Sequence, residues 1–379
     1  MTLLIDTLTY VAAFIVVLTI VVFVHEFGHY WVARRNGVRV EVFSIGFGKE
    51  LFGWTDSAGT RWRVSPIPLG GYVKFFGDAN AASAPDSELQ AKELTPEEKA
   101  VSFHHKRVGQ RAAVVFAGPA ANLVFAVVIF AGLFATIGQP FTPPVAGEIL
   151  EDSAAAEAGL MPGDRIEMID SQPIDRFEDI QTIVRSNPGV PLDVVILRDG
   201  QEMSVAVTPK VSEVEDSLGN IHRIGLLGIS VGAREYVRLG PAESLWEGLH
   251  HTGSIIVATF QGLGEIIGGN RSAKELAGPI AIAQMSGAVV QEGIPPLLTF
   301  MAIISISLGL INLFPVPMLD GGHLLFYAFE AVRGRPLGQR AQEYGFRVGL
   351  LLVIGLMGFA TFNDLTRPSV LEFFSRLSF

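Results

Sequence analysis

Five consecutive residues, His25-Glu26-Phe27-Gly28-His29, carry the clearest chemistry in this chain. On a helix the two histidines stand one turn apart on the same face, so both imidazoles can reach one ion. Glu26 lies beside them, placed to take a proton from a water that the ion activates, which is the logic of metal-assisted hydrolysis. The motif follows directly on the apolar run Tyr10–Val24. Two histidines and a glutamate are costly to place at the end of a membrane span and read there as functional. The competing reading is a pair of interfacial histidines capping the span, with Glu26 paired to Arg34.

Cysteine is absent, so any metal must bind through His, Asp or Glu, and no disulfide braces an exported part. A catalytic zinc takes three protein ligands and keeps one position for water. The best third ligand is Asp320, the sole acidic residue within Pro296–Phe329. It follows Asn312-Leu313-Phe314-Pro315-Val316-Pro317-Met318-Leu319, where two prolines open the end of an apolar helix, as is tolerated where backbone lines a cavity. Asp320 could instead cap the next helix, with Gly321-Gly322 as a turn. His323 is a reserve ligand or an interfacial group. His104, His105, His222, His250 and His251 have no comparable partner spacing and read as surface or structural.

The elements that must position these residues are mostly membrane spans. The chain has 379 residues; 49% are hydrophobic, 17% are charged and the mean hydropathy is +0.40. Soluble domains average about 25% charged residues. A formal charge of −10 argues against nucleic acid as a partner. The N-terminal run lacks the basic n-region and small-residue cleavage pattern of a signal peptide and reads as retained. Spanning takes about 20 apolar residues. The expected spans are about 8–33, 112–137, 296–319 and 345–362. Gly253–Ile267 carries Gln261 and Glu265 and reads as an amphipathic helix on the membrane surface. The whole 241–295 stretch is assigned to such surface helices.

Basic residues set the orientation. Arg34, Arg35, Arg39, Lys106, Arg107 and Arg111 flank the connection between the first two spans, and Arg333, Arg335, Arg340 and Arg347 the last one. Both connections are expected in the cytoplasm, with both termini and the large 140–295 region outside. Asp320 then meets the histidines only if Gly253–Ile267 does not cross. A crossing would leave it up to ~30 Å away.

Residues 40–78 alternate and break like strands and turns. An Ala/Ser-rich linker follows, and then Thr95-Pro96-Glu97-Glu98 has a helix-start signature. The 140–240 region reads as one small β-rich module. Strands are expected at Val145–Leu150, Asp164–Ile169, Leu192–Arg198 and Met203–Val207. Helices are expected at Ser153–Gly159 and Phe177–Arg185, and a hairpin turn at Asp199-Gly200. The fold class is thus a polytopic α-helical membrane protein of about four spans with a strand-and-turn region at 40–78, which the resemblance given next makes a membrane-associated β-hairpin region, and one α+β domain. Its parts are 1–139, 140–240, 241–295 and 296–379.

With these residues in hand, the chain resembles the site-2 protease family of intramembrane metalloproteases, in particular the bacterial RseP type that regulates sigma-E signalling. The resemblance rests on HEFGH at 25–29, PLGGYVKF at 68–75, GPAAN at 118–122, AGPIAIA at 277–283 and NLFPVPMLDGGH at 312–323. It implies one zinc ion on His25, His29 and Asp320, with Glu26 as acid/base. It also implies that Asn312, Gly70, Gly71, Tyr72 and Val73 bind substrate, and that Gly118 and Asn122 form a helix-packing motif. The 60–76 segment corresponds to a membrane-reentrant β-hairpin that would hold an unwound substrate by strand addition. The 140–240 module resembles a circularly permuted PDZ domain, through SAAAEAGLMPGDRI at 153–166 and VRSNPG at 184–189, and would face the periplasm and bind peptide termini. The best-known members carry two such domains, and here there is one.

The resemblance also implies a bacterial inner-membrane enzyme, active towards the cytoplasmic side of the bilayer. It would cleave single-span membrane proteins such as anti-sigma factors already cut once, or remnant signal peptides. The alternatives are a non-catalytic PDZ-bearing scaffold, which would not need all four site residues, and a metal transporter, which would need more polar spans.

Overall fold

The computed structural model describes residues 2–78, 94–215, 221–231, 235–269 and 272–366. The Ala/Ser-rich linker falls at 79–93, outside those residues. Two compact units emerge: Met1–Phe130 with Leu245–Ala258 and Lys274–Phe379, and Ala131–Ser244 with Thr259–Ala273.

In the first unit, α1 (Thr2–Arg35) is a single helix that carries the apolar run and the motif together. It stops where Gly37 turns left-handed (φ 67°), with Val38 N–H bonded to the Ala33 carbonyl at 2.9 Å. Four strands follow: β1 (Val40–Phe47), β2 (Phe52–Thr55), β3 (Arg61–Val64) and β4 (Ile67–Phe75). They form one sheet in the order β2-β3-β1-β4.

This differs from the hairpin expected at 60–76. Strands β3 and β4 do not pair with each other; β1 lies between them, parallel to β3 and antiparallel to β4. Ser65 N–H bonds the Ile45 carbonyl at 2.8 Å, and Pro66 has no N–H to give. The chain therefore crosses the end of β1 instead of folding back on β3. The consequence is that β4 is an edge strand.

Beyond the linker, α2 (Pro96–Val101) begins as its sequence predicts: Thr95 Oγ1 accepts from Glu98 N, and Glu98 Oε2 accepts from Thr95 N. Helix α3 (Val108–Thr136) continues through Pro119. Phe43, Val73, Phe75, Phe103 and Val114 form a buried cluster that fastens the sheet to α1 and α3.

The second unit contains β5 (Gln139–Phe141), β6 (Ala146–Ile149), α4 (Ala154–Glu157), β7 (Arg165–Ile169), β8 (Gln172–Pro173), α5 (Phe177–Ser186), β9 (Leu192–Arg198) and β10 (Gln201–Val207). Its main sheet has the order β10-β9-β7-β8 around a core of Ile166, Ile169, Phe177, Ile180, Leu192 and Ile196. Asp199 and Gly200 both have positive φ, as a tight hairpin between β9 and β10 requires. Four short strands complete it: β11 (Lys210–Glu215) pairs with β12 (Ile221–Leu226), β13 (Ile229–Val231) with β6, and β14 (Glu235–Val237) with β5.

Five helices remain: α6 (Pro241–Ile267), α7 (Pro279–Glu292), α8 (Ile294–Leu313), α9 (Asp320–Arg333) and α10 (Gln339–Thr366). Among the described residues, four helices are long and apolar enough to cross a membrane: Leu8–Arg35, Val108–Thr136, Ile294–Leu313 and Arg340–Thr366. Helix α6 is longer than the 253–267 segment that was read as amphipathic, starting at Pro241 behind Gly240. Helix α7 is not a free surface helix. Its Gly287 lies under the Tyr10 ring of α1, and buried Asp364 of α10 accepts from Gly278, Ile280 and Ala281 N–H, each at 3.0 Å. Three free backbone donors at a helix start attract a carboxylate, and this one ties α7 to α10.

Candidate metal centre

The motif on α1 faces a cavity of about 210 Å³ within the first unit, where α3, α8, α9 and β4 also contribute. His25 and His29 are 7% and 9% exposed. Their Nε2 atoms lie 3.2 Å apart. Asp320 Oδ2 sits 3.2 Å from the first and 3.5 Å from the second. Asp320 is the first residue of α9, after a stretch that Pro315 and Pro317 keep out of helical form and in which Met318 has φ 93°. Leu319, not Asp320, occupies the cap position, so the capping alternative does not hold. The break after the third span places Asp320 beside the two histidines.

Among the described residues, these three atoms form a group of side-chain donors close enough to hold one metal ion, all within 4.8 Å of one another. His29 Nδ1 lies 2.9 Å from the Val114 carbonyl, which can only accept. A proton on Nδ1 meets that acceptor, and in the neutral ring Nε2 then presents a lone pair. Asp320 Oδ2, although buried, accepts no hydrogen bond. Lone pairs converging without a proton between them repel unless a cation sits there, so the donor set fits a divalent metal. His323 lines the cavity one turn along α9 from Asp320 but is not among the convergent donors.

Glu26 lines the same cavity, in contact with the Val73 backbone of β4. Gly71 permits this approach, because a Cβ there would lie 3.1 Å from Glu26 Cγ and 2.8 Å from the Ser44 carbonyl. Gly118 does the same on α3, where a Cβ would fall 2.2 Å from His29 Nε2. Of the other expected residues, Asn312, Tyr72 and Val73 line the cavity; Gly70 does not, and faces Phe47. Asn122 is fully buried, with Nδ2 3.4 Å from His25 Nδ1. Phe75, Phe103, Val115, Met318 and Tyr327 also line the cavity and had no signal in the sequence, since apolar and aromatic residues on buried faces look alike from outside.

The profile of peptidase family M50 matches residues 13–356. The chain belongs to that family. Among similar proteins, a candidate zinc metalloprotease of Agrobacterium fabrum is 46% identical over 361 residues, covering 94% of this chain and 96% of the relative. One from Rhizobium meliloti is 45% identical over 370 residues, covering 96% and 99%. The regulator of sigma-E protease RseP of Salmonella typhimurium is 34% identical over 455 residues, covering 94% and 98%. A solved PDZ domain from Listeria monocytogenes matches 24% of this chain and 88% of its own length at 16% identity and a TM-score of 0.19, a likeness too low to carry an argument. Family membership makes the protein a membrane metalloprotease of the site-2 type.

Proposed function

We propose that His25, His29 and Asp320 hold one zinc ion and that Glu26 is the acid/base of an enzyme cutting single-span membrane proteins within the bilayer. The observation that carries this reading is the convergence of two imidazole nitrogens, on a helix long enough to span, with an unpartnered carboxylate oxygen beside Glu26. Zinc is the metal named for the relatives, and when bound it supplies a Lewis acid and an activated water. Glu26 takes the proton from the attacking water and delivers it to the departing amide nitrogen, so the peptide bond breaks without releasing a charged amide. Edge strand β4 offers Gly71, Tyr72 and Val73 to an extended substrate, giving it backbone partners once its helix has unwound. Asn312 lines the cavity where it can hold the substrate backbone.

The charge pattern supports the sidedness read above, with both termini and the 140–240 module in the periplasm and the site towards the cytoplasmic side of a bacterial inner membrane. The module is a PDZ domain that binds peptide termini. The substrate is anti-sigma-factor-like, in keeping with the Salmonella relative being a regulator of sigma-E protease.

The test uses full-length protein in detergent, with zinc measured and cleavage of a single-span reporter followed. Wild type should bind one zinc and cleave. Glu26→Gln should keep zinc and lose about 10²–10⁴-fold in turnover. Equal cleavage by both proteins, or no metal in a folded sample, would remove the proposal.

A further inference from the structure

His25 poses a question that His29 does not. For its Nε2 to offer a lone pair, the imidazole proton must sit on Nδ1 and must find an acceptor, because the ring is 7% exposed. His29 solves this with the Val114 carbonyl. Among the described residues, the group facing His25 Nδ1 is the Asn122 carboxamide, whose Nδ2 lies 3.4 Å away. That residue is 0% exposed and its Oδ1 has no hydrogen-bond partner. Its backbone is pinned as well, since the Asn122 carbonyl accepts from Ser305 Oγ of α8 at 2.9 Å.

Two buried polar atoms are thus left wanting: a carboxamide oxygen without a donor and a ring nitrogen whose proton needs an acceptor. Turning the carboxamide by 180° about its last side-chain bond puts Oδ1 where Nδ2 stands and gives the ring proton its acceptor, with the carboxamide NH2 taking the position Oδ1 now holds. We infer that Asn122 is a positioning residue that holds His25 in its Nδ1–H form through Oδ1, so that Nε2 is free for the metal. Helix α3 then serves both histidines, by a backbone carbonyl for His29 and by a side chain for His25. This assigns Asn122 a role beyond helix packing. It rests on His25 being a metal ligand, as proposed above.

The test is zinc affinity, measured by competition with a chelator on the full-length protein in detergent. Asn122→Leu keeps the branched shape but has no acceptor, and should bind zinc 10–100-fold more weakly. Asn122→Asp keeps an acceptor at the Oδ1 position and should bind at least as tightly as wild type. A merely structural role would weaken both alike. Wild-type affinity in Asn122→Leu, or a tenfold loss in Asn122→Asp, overturns the inference. Should Asn122→Leu not fold, selective ¹⁵N-histidine labelling of zinc-loaded wild type decides, because His25 must show a protonated Nδ1. If wild type binds no zinc, the metal-site reading falls and this inference with it. Zinc in wild type with an unaffected Asn122→Leu removes this inference alone.

Discussion

Two aspartates, Asp164 in the second unit and the half-buried Asp320 in the first, are treated in opposite ways. Asp164, in the second unit, is 1% exposed and its oxygens are occupied. Arg198 donates to Oδ1 and Oδ2, both at 2.7 Å, and Met161 N–H adds a third bond at 2.7 Å. The Arg198 guanidinium holds that carboxyl below the usual carboxylate range. Asp320 has no such fork: its Oδ2 lies 3.2 Å and 3.5 Å from the Nε2 atoms of His25 and His29 and makes no hydrogen bond. Burial alone therefore does not mark a site. A carboxylate with a guanidinium fork on it is closed to further chemistry, whereas one aimed at other lone pairs is held ready for a cation.

The same substitution at both positions separates these cases. Asp320→Asn should bind zinc more than ~100-fold more weakly, since losing a ligand should exceed the loss of an outer partner. Its zinc-free form should melt no lower than zinc-free wild type, because a buried charge without a donor adds no stability. Unchanged zinc, measured by metal analysis after gel filtration, would take Asp320 out of the site.

Asp164→Asn should do the reverse, leaving zinc intact while destabilising the second unit by about 2 kcal/mol. Hydrogen exchange over residues 131–244 would read this in the full chain. Unaltered protection there would mean that Asp164 and Arg198 are spectators.

The smallest effect concerns pH. A depressed carboxyl pKa contributes stability that is present above the ordinary aspartate value, about 3.9, and fades as pH falls through the folded value. The gap in protection between wild type and Asp164→Asn should be full at pH 5 and narrow below about pH 4. A gap that stays constant with pH would show that the ion pair is not its source.

The sequence revealed this contrast only in part. His25, Glu26 and His29 were legible because a helix fixes their spacing, and Asp320 because it is the lone acid beside a proline-broken span. The capping box at Thr95 and the turn at Asp199-Gly200 are local patterns, and both are present. What stayed hidden depends on contacts across the fold. The insertion of β1 between β3 and β4 has no local signature, because parallel pairing leaves no turn motif to read. The short strands β11 to β14 lack a strong alternation. The seating of α7 against α1 depends on Gly287 meeting Tyr10, nearly the length of the chain away. Asn122 looked like a packing residue because the crossing of α1 and α3 that brings it to His25 cannot be read from either helix alone.

The donors of the metal centre come from opposite ends of the chain, and this bears on how the protein is made. His25 and Asp320 are separated by about 300 residues, which takes a ribosome on the order of 15–60 s to cross. Throughout that interval the growing chain carries the histidine motif without its third donor, so the proteolytic centre cannot close. A product truncated anywhere between α1 and α9 would carry the two histidines and the glutamate without their third donor, harmless to its neighbours in the membrane. The split site thus delays activity until nearly the whole polypeptide has been synthesised.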